Sequence, residues 1–278
     1  MPFWSLPRIT VEHHLCLLFC APATLLLALL FLDSGAARMA SLTNTENAEN
    51  ANIQNNPGKQ QGAFTVSFNQ DATCFSTGLR DRSCVYSCMP FQRHEFASNG
   101  GIGAMAMLYR TNLLAMCGGG DTPAFSPRRL RVVNTTTKAA LCELLFETTV
   151  LSVKMNRERL VVALQNKIHV FDLDTMTALH MLKTPPNVEG LMALQPDTSD
   201  AQVKERRRGV FLAFPGGTSK GELVLFDVRH LKIVKLIQAH QHPLTAIELS
   251  QKGNFVATAS TEGTIIRVSL NVLRNSFP

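Results

Sequence analysis

The chain has 278 residues, of which 45% are apolar and 17% are charged, and it carries a formal net charge of +6. This composition excludes a disordered or fibrous chain, because it offers enough apolar side chains to bury a sizeable core. The mild basic excess favours anionic partners such as phosphoinositides or nucleic acids, without choosing between them.

The first hydrophobic feature is the uncharged run from Leu15 to Leu32. Its length is the lower limit for a membrane-spanning helix and exceeds most signal-peptide cores, so a signal anchor and a cleaved signal both remain open. A third interpretation takes Met39 as the natural start and residues 1–38 as a gene-model extension. Residues 39–62 are polar and rich in asparagine, which predicts a disordered lead-in to a domain at 63–278.

From Ala63 onward, a unit of short β-strands and turns recurs along the chain. Runs of β-branched and aromatic residues bounded by Gly, Asn, Asp and Pro predict strands, and helical periodicity is absent. One strand of the unit recurs at intervals of 38 to 55 residues, at 85–88, 131–134, 169–172, 224–227 and 267–270. These intervals bracket the period of roughly 40–45 residues that is typical of four-stranded propeller blades. The sequence therefore predicts an all-β propeller of WD-repeat type with about five blades, the last one incomplete.

The longest interval contains Gln195 to Gly209, a polar stretch that predicts a loop insertion between strands. The seven cysteines show no C-x-x-C pair and no histidine at zinc spacing, so we expect reduced core residues and no metal site. No nucleophile, base and orienting group stand at usable spacing, and no Gly-rich loop precedes a helix, which argues against an enzyme and against a cofactor. A single Trp and two Tyr are too few for a nucleic-acid surface of interleaved basic and aromatic residues.

The most informative segment is residues 258–267, with His240 one β-hairpin upstream. Hydroxyls and an imidazole N–H can donate hydrogen bonds to phosphate oxygens, a guanidinium can donate two at once, and a glycine lets the backbone come close to a ligand. At the rim of a blade, such groups can hold a phosphorylated headgroup without performing chemistry on it. The structural alternative is that these Ser, Thr and His side chains only hydrogen-bond their own turns.

Five stretches carry a collinear resemblance to a known family, at residues 68–71, 126–132, 149–162, 190–193 and 258–267. Over residues 63 to about 268 the chain resembles the PROPPIN, or WIPI-type, phosphoinositide-binding propellers of autophagy. The resemblance implies a seven-bladed, non-catalytic effector that binds phosphatidylinositol 3-phosphate or 3,5-bisphosphate during autophagosome formation. It also implies a headgroup site made of His240, Thr258, Ser260, Gly263, Thr264 and Arg267.

The segment after Arg267 departs from the family pattern. The family's Phe-Arg-Arg-Gly block, whose arginines point to two headgroup sites, is absent, and residues 269–278 read SLNVLRNSFP. Two lost charge-assisted contacts weaken binding by on the order of a hundred- to ten-thousand-fold. We therefore expect a truncated form that lacks two blades and the membrane-inserting loop of blade six. The Arg206-Arg207-Arg208-Gly209 cluster lies in the insertion and is interpreted as a solvated loop.

A second site is implied by the resemblance at Pro127, Arg128 and Arg129, which match the family loop that contacts the lipid-transfer protein of autophagy. The alternative is an ordinary exposed turn with charged edge protection. Two functions remain open, a lipid-reading adaptor and a propeller scaffold for protein partners alone. The expected location is the cytosol and, peripherally, the phagophore assembly site, endosome or vacuole membrane, with a tethered form if residues 15–32 insert.

Overall fold

The computed structural model describes residues 65–97, 99–196 and 209–270. The hydrophobic leader, the polar lead-in, the arginine cluster at 206–208 and the residues after 270 lie outside this part of the chain. Within it every regular element is a β-strand. The same residues include no helix of the length and apolarity needed to cross a membrane.

The described residues form five antiparallel sheets, each built from strands that follow one another in the chain. Blade one comprises β1 (Thr65–Phe68), β2 (Cys74–Gly78), β3 (Arg82–Ser87) and β4 (Gln92–Ala97). Blade two comprises β5 (Ile102–Met107), β6 (Leu113–Gly118), β7 (Arg129–Asn134) and β8 (Ala140–Leu145). Blade three comprises β9 (Ser152–Met155), β10 (Arg159–Ala163), β11 (Lys167–Asp172) and β12 (Ala178–Lys183).

Blade four comprises β13 (Ala193–Leu194), β14 (Phe211–Pro215), β15 (Gly221–Asp227) and β16 (Lys232–His240). Blade five comprises β17 (Leu244–Leu249), β18 (Phe255–Ser260) and β19 (Ile266–Leu270) among the described residues. The predicted all-β propeller with five blades is thus confirmed, and the five recurring segments each fall on the third strand of a blade. Of the predicted insertion, residues 197–208 lie outside the described part of the chain, and its flanks at 195–196 and 209 lie between β13 and β14.

The first strand of each blade lies innermost and contacts the first strand of the next blade, in the order β1, β5, β9, β13 and β17. Together these strands line a central cavity of about 150 Å³. Side chains of a strand alternate between two faces, and among the described residues both faces of blades two, three and four are covered by neighbouring blades. In β10, for example, Leu160 and Val162 pack toward blade two, whereas Val161 and Ala163 pack toward blade four. This double burial explains the continuous apolar runs of the second strands.

A glutamine in blade one ties three blades together. The Gln70 side-chain amide donates hydrogen bonds to the carbonyl oxygens of Met107 at 3.0 Å and Met155 at 2.7 Å. Its carbonyl oxygen accepts a bond from the Tyr109 backbone N–H at 2.6 Å. Gln70 belongs to one of the stretches that carry the family resemblance, and its contacts give that stretch a structural role.

A second set of polar contacts joins blade three to blade four. The Asn156 side chain donates to the carbonyl of Gln195 at 3.1 Å, and Arg159 Nε donates to the carbonyl of Val228 at 3.1 Å. Arg229 Nε in turn donates to the Glu158 carboxylate at 3.1 Å. Asn156, Glu158 and Arg159 of the Asn-Arg-Glu-Arg motif therefore join blade three to blade four, whereas the Arg157 guanidinium lies over the Tyr109 ring.

Candidate functional site

The predicted headgroup residues converge where blade four meets blade five. His240 is the last residue of β16, and Thr258 and Ser260 lie two residues apart on β18, so they share one face of that strand. Thr258 is paired directly with Arg267 on β19. Gly263 and Thr264 lie in the turn that joins these two strands. The structure thus brings all six residues to one β-hairpin and the end of the neighbouring strand.

The centre of this cluster is a buried contact between His240 and Thr258. The His240 Nε2 atom lies 3.0 Å from the Thr258 hydroxyl oxygen and 3.1 Å from the Thr258 carbonyl oxygen. Because a carbonyl oxygen can only accept, this geometry requires a proton on His240 Nε2. The Thr258 hydroxyl donates onward to the Arg267 carbonyl at 3.4 Å.

This contact changes the role expected for His240. The Nε2–H of His240 is already engaged by the two Thr258 oxygens. His240 and Thr258 are also both buried, with exposed fractions of 8% and 1%. The hydrogen bonds therefore make His240 a positioning residue that holds the end of blade four against blade five.

Arg267 links the two blades on the exposed side of the cluster. Its Nη1 donates a hydrogen bond to the Ala239 carbonyl at 2.6 Å, across from β19 to β16. The residue as a whole is exposed. A guanidinium has five N–H donors in a planar fork, so one contact to Ala239 fixes the side chain and leaves further donors for an anion.

The turn between β18 and β19 supplies the remaining members. Gly263 has a φ of +67°, in the left-handed region that glycine adopts without strain. Its N–H donates to the Ser260 carbonyl at 2.9 Å, and a side chain at this position would meet nothing within 4 Å. Thr264 is exposed and Ser260 is buried. The exposed rim of the cluster therefore consists of Gly263, Thr264 and Arg267, above the buried His240, Thr258 and Ser260.

One histidine–carboxylate contact at this rim received no role from the sequence. His242 Nε2 lies 3.3 Å from the Glu262 carboxylate, and both side chains are more than half exposed. Glu262 lies within residues 258–267, directly before Gly263, so the sequence shows an acidic residue at this turn. Its contact with His242 could not be predicted, because it depends on the approach of two separate turns.

The predicted partner loop at 127–129 is held mainly through its backbone. The Pro127 carbonyl accepts bonds from the Val150 N–H at 2.9 Å and the Cys117 thiol at 3.0 Å, and burial raises the pKa of that thiol to about 12. The Arg129 guanidinium lies 3.4 Å from the Glu143 carboxylate. Arg128 is exposed, and its carbonyl accepts a hydrogen bond from Phe146 N–H at 2.8 Å, in the segment that leads from blade two to blade three.

Comparisons with known proteins agree with this architecture. The sequence model of the PROPPIN family matches residues 63–273. Autophagy-related protein 18 of Yarrowia lipolytica is 39% identical, over 73% of this chain and 54% of its own length. Its namesake from Dictyostelium discoideum is 36% identical, over 78% of this chain and 58% of its own length. The chain thus spans about half the length of these curated relatives.

Two solved structures are similar in fold. A complex described as KlAtg21 with the coiled coil of AgAtg16 superposes with a TM-score of 0.60 at 29% identity, over 73% of this chain and 64% of that one. Kluyveromyces lactis Hsv2 superposes with a TM-score of 0.60 at 20% identity, over 76% of this chain and 61% of that one. The second likeness shows the fold alone.

Proposed function

This chain belongs to the PROPPIN family, and on that premise we propose that it is a non-catalytic adaptor that reads phosphorylated inositol headgroups on membranes during autophagy. The ligands are phosphatidylinositol 3-phosphate and phosphatidylinositol 3,5-bisphosphate, and the protein binds the membrane peripherally. The family membership and the relatives called autophagy-related protein 18 support this proposal.

The observation that carries the proposal is the position of Arg267. Its contact with the Ala239 carbonyl orients the guanidinium at the exposed rim between two blades, next to the Gly263 turn. A pre-oriented guanidinium can form two parallel hydrogen bonds to a phosphate, which gives both affinity and geometry. The open space above Gly263 leaves room for the inositol ring.

The six residues divide into two tasks in this proposal. Arg267 and Thr264 contact the phosphate, and Gly263 allows the ring to approach the turn. His240 and Thr258 lie beneath and join the two blades, and Ser260 lies buried on the same strand as Thr258. Because the segment after Arg267 lacks the family's Arg-Arg-Gly block, we expect weaker binding than in relatives that carry it.

A protein partner is the second part of the proposed function. We propose that the exposed Arg128, between Pro127 and Arg129, contacts the lipid-transfer protein of autophagy at the boundary of blades two and three. The solved complex of KlAtg21 with the coiled coil of AgAtg16 supports the general idea that such propellers assemble with proteins. An acidic segment of a partner would complement the Arg128 guanidinium.

A protein scaffold without lipid binding is the alternative, and one observation favours it. The Nε2–H of His240 and the Thr258 hydroxyl hydrogen both point to acceptors within the protein. In that case the cluster would serve only to join blades four and five, and Arg267 would stabilise this junction through its hydrogen bond to the Ala239 carbonyl.

Vesicle co-sedimentation separates the two functions. The full chain is mixed with phosphatidylcholine vesicles that contain either phosphatidylinositol or phosphatidylinositol 3-phosphate, and Arg267→Ala is compared with Arg128→Ala. Both variants lose one exposed arginine, but only Arg267 belongs to the proposed headgroup site. The adaptor requires binding that depends on the 3-phosphate and is lost in Arg267→Ala alone. Equal sedimentation with both lipids would establish the scaffold.

A further inference from the structure

The outermost strand of blade four exposes an unusual combination of side chains. Ile233 and Leu236 have exposed fractions of 64% and 56%, and Lys232 and Lys235 beside them are exposed as well. The strand contains no acidic residue. We call these four residues the β16 edge. It combines apolar and cationic groups on the circumference of the propeller.

The outer strands of blades two and three show that this charge is not a feature of every blade. β8 of blade two exposes Leu141 and Leu145 but carries Glu143 between them. β12 of blade three exposes Leu179 and Met181 and has one lysine, Lys183. Positive charge on the outer strands therefore increases from blade two to blade four, toward the candidate headgroup site.

The β16 edge is continuous with that site along a single strand. β16 runs nine residues and ends at His240, and the carbonyl of Ala239 receives the Arg267 side chain. Ile233 lies seven residues before His240, a distance of roughly 23 Å along an extended strand. A flat membrane surface that meets the headgroup site at the circumference would therefore also reach the β16 edge.

We propose that the β16 edge is a second membrane contact, which binds the surface of an anionic bilayer. The proposal rests on the proposed function, because the headgroup site brings this edge to the membrane. Ile233 and Leu236 enter the interfacial region of the bilayer, and the lysine stems lie along it with their ammonium groups at the lipid phosphates. Stable membrane attachment usually needs two weak signals, and this edge adds one to the headgroup contact.

A lipid surface fits the edge better than a second protein strand. Two lysines without a nearby acid on the strand repel the same edge of another copy, and lysine on an edge strand opposes strand pairing. The same two charges attract anionic lipids through simple electrostatics, without a specific geometry. A self-associating edge would instead give a dimer in the absence of vesicles.

The test measures binding of the full chain to four kinds of vesicle: phosphatidylcholine alone, with phosphatidylserine, with phosphatidylinositol 3-phosphate, and with both. Lys232→Gln/Lys235→Gln removes the charge of the edge, and Ile233→Ser/Leu236→Ser removes its apolar groups. The matched control is Leu179→Ser/Lys183→Gln on β12. Thermal melting shows that each variant is folded, which is expected because the substituted side chains are exposed.

We expect the charge variant to lower binding to phosphatidylserine vesicles by on the order of tenfold, while the β12 control stays near the unmodified chain. We expect the apolar variant to lower binding to the same vesicles at high salt, where charge attraction is screened. Unchanged binding in both β16 variants, an equal loss in the β12 control, or a vesicle-free dimer that the β16 variants abolish would overturn the proposal.

Failure of the proposed function gives a different pattern. The unmodified chain could fail to respond to phosphatidylinositol 3-phosphate and still bind phosphatidylserine vesicles through the β16 edge. This result would contradict the headgroup site and support the edge contact. A chain that responds to the 3-phosphate but shows no β16 dependence would support the headgroup site and overturn the edge contact.

Discussion

At the scale of single residues, Arg267 has two tasks. Its hydrogen bond to the Ala239 carbonyl joins β19 to β16, and its remaining guanidinium donors lie at the exposed rim. We predict that Arg267→Ala weakens binding to phosphatidylinositol 3-phosphate by about tenfold to a hundredfold, the loss expected for one charge-assisted contact. Arg267→Lys should not restore affinity, since an ammonium cannot form the two parallel hydrogen bonds of the fork. Titration with a short-chain soluble lipid measures both.

The lysine variant also separates charge from geometry. If Arg267→Lys binds as tightly as the unmodified chain, a simple positive charge is enough and the oriented fork is not used. The melting temperature of each variant serves as the control. A loss of binding is informative only if the blade stays folded without the Ala239 contact.

Glu262 places a negative charge beside the proposed phosphate position, and His242 is its neighbour at 3.3 Å. We predict that Glu262→Gln strengthens binding to phosphatidylinositol 3-phosphate about two- to fivefold, because it removes a like charge from an exposed rim. The matched control is Glu189→Gln, which removes the charge of an exposed glutamate in the loop between blades three and four. It should not change the affinity for the lipid. Weaker binding in Glu262→Gln would show that this carboxylate contacts the ligand or orders the turn.

The residue identities of this cluster could be predicted from the sequence, but their tasks could not. Thr258, Ser260 and Gly263 stand together in one segment, so their proximity follows from local chain geometry. The bond between His240 and Thr258 joins residues 18 positions apart. It exists because two blades pack against each other, and it engages a ring nitrogen that the sequence predicts as a ligand donor.

At the scale of elements, the link made by Gln70 holds the inner strands of three blades. We predict that Gln70→Ala lowers the free energy of unfolding by about 2 kcal/mol, since it leaves the buried carbonyls of Met107 and Met155 without this donor. The control is Gln251→Ala, which removes an exposed glutamine that lines the central cavity. This variant should change the free energy of unfolding by less than about 0.5 kcal/mol. Urea denaturation measures both, and equal effects would contradict the link.

The inner strand β17 carries an acidic side chain toward the central cavity. Burial raises the pKa of Glu248, and the cation of Lys154 opposes this only in part. A raised folded pKa means that the carboxyl stabilises the fold at acidic pH and loses this contribution as the pH rises through the folded value. We predict that Glu248→Gln raises the melting temperature at pH 7 and has little effect at pH 4.

The pH dependence is the deciding feature of that experiment. The stabilisation by Glu248→Gln should grow steadily between pH 4 and pH 7, because only the charged carboxylate is costly to bury. A change in melting temperature of equal size at pH 4 and pH 7, or a decrease at both, would contradict the prediction. It would mean that Glu248 is solvated or fully paired with Lys154 in the folded protein.

The strands of the propeller could be predicted because their apolar and β-branched residues recur at blade spacing. The third strands fall on β3, β7, β11, β15 and β19 as expected. The order of contacts among the inner strands and the joining role of Asn156 and Arg159 could not be predicted, because they arise only when neighbouring blades meet. Motifs that indicate the family can therefore be structural rather than ligand-binding.

For the whole molecule, the five described sheets place three different surfaces on one circumference. The headgroup cluster lies between blades four and five, the β16 edge adjoins it, and Arg128 lies between blades two and three. An adaptor needs its membrane and protein contacts to be separate, so that both can be occupied at once. Blade three separates Arg128 from the β16 edge, and blades three and four separate it from the proposed headgroup cluster, which meets that requirement.

The measurement that tests the central claim most directly is amide hydrogen exchange on the full chain bound to vesicles. Vesicles with phosphatidylinositol 3-phosphate are compared with vesicles that carry the same amount of unphosphorylated phosphatidylinositol. The account predicts added protection in residues 258–267 and around Ala239 and His240, only with the 3-phosphate and not in Arg267→Ala. Protection that is absent from the β18–β19 hairpin, or that is identical with both lipids, would contradict it.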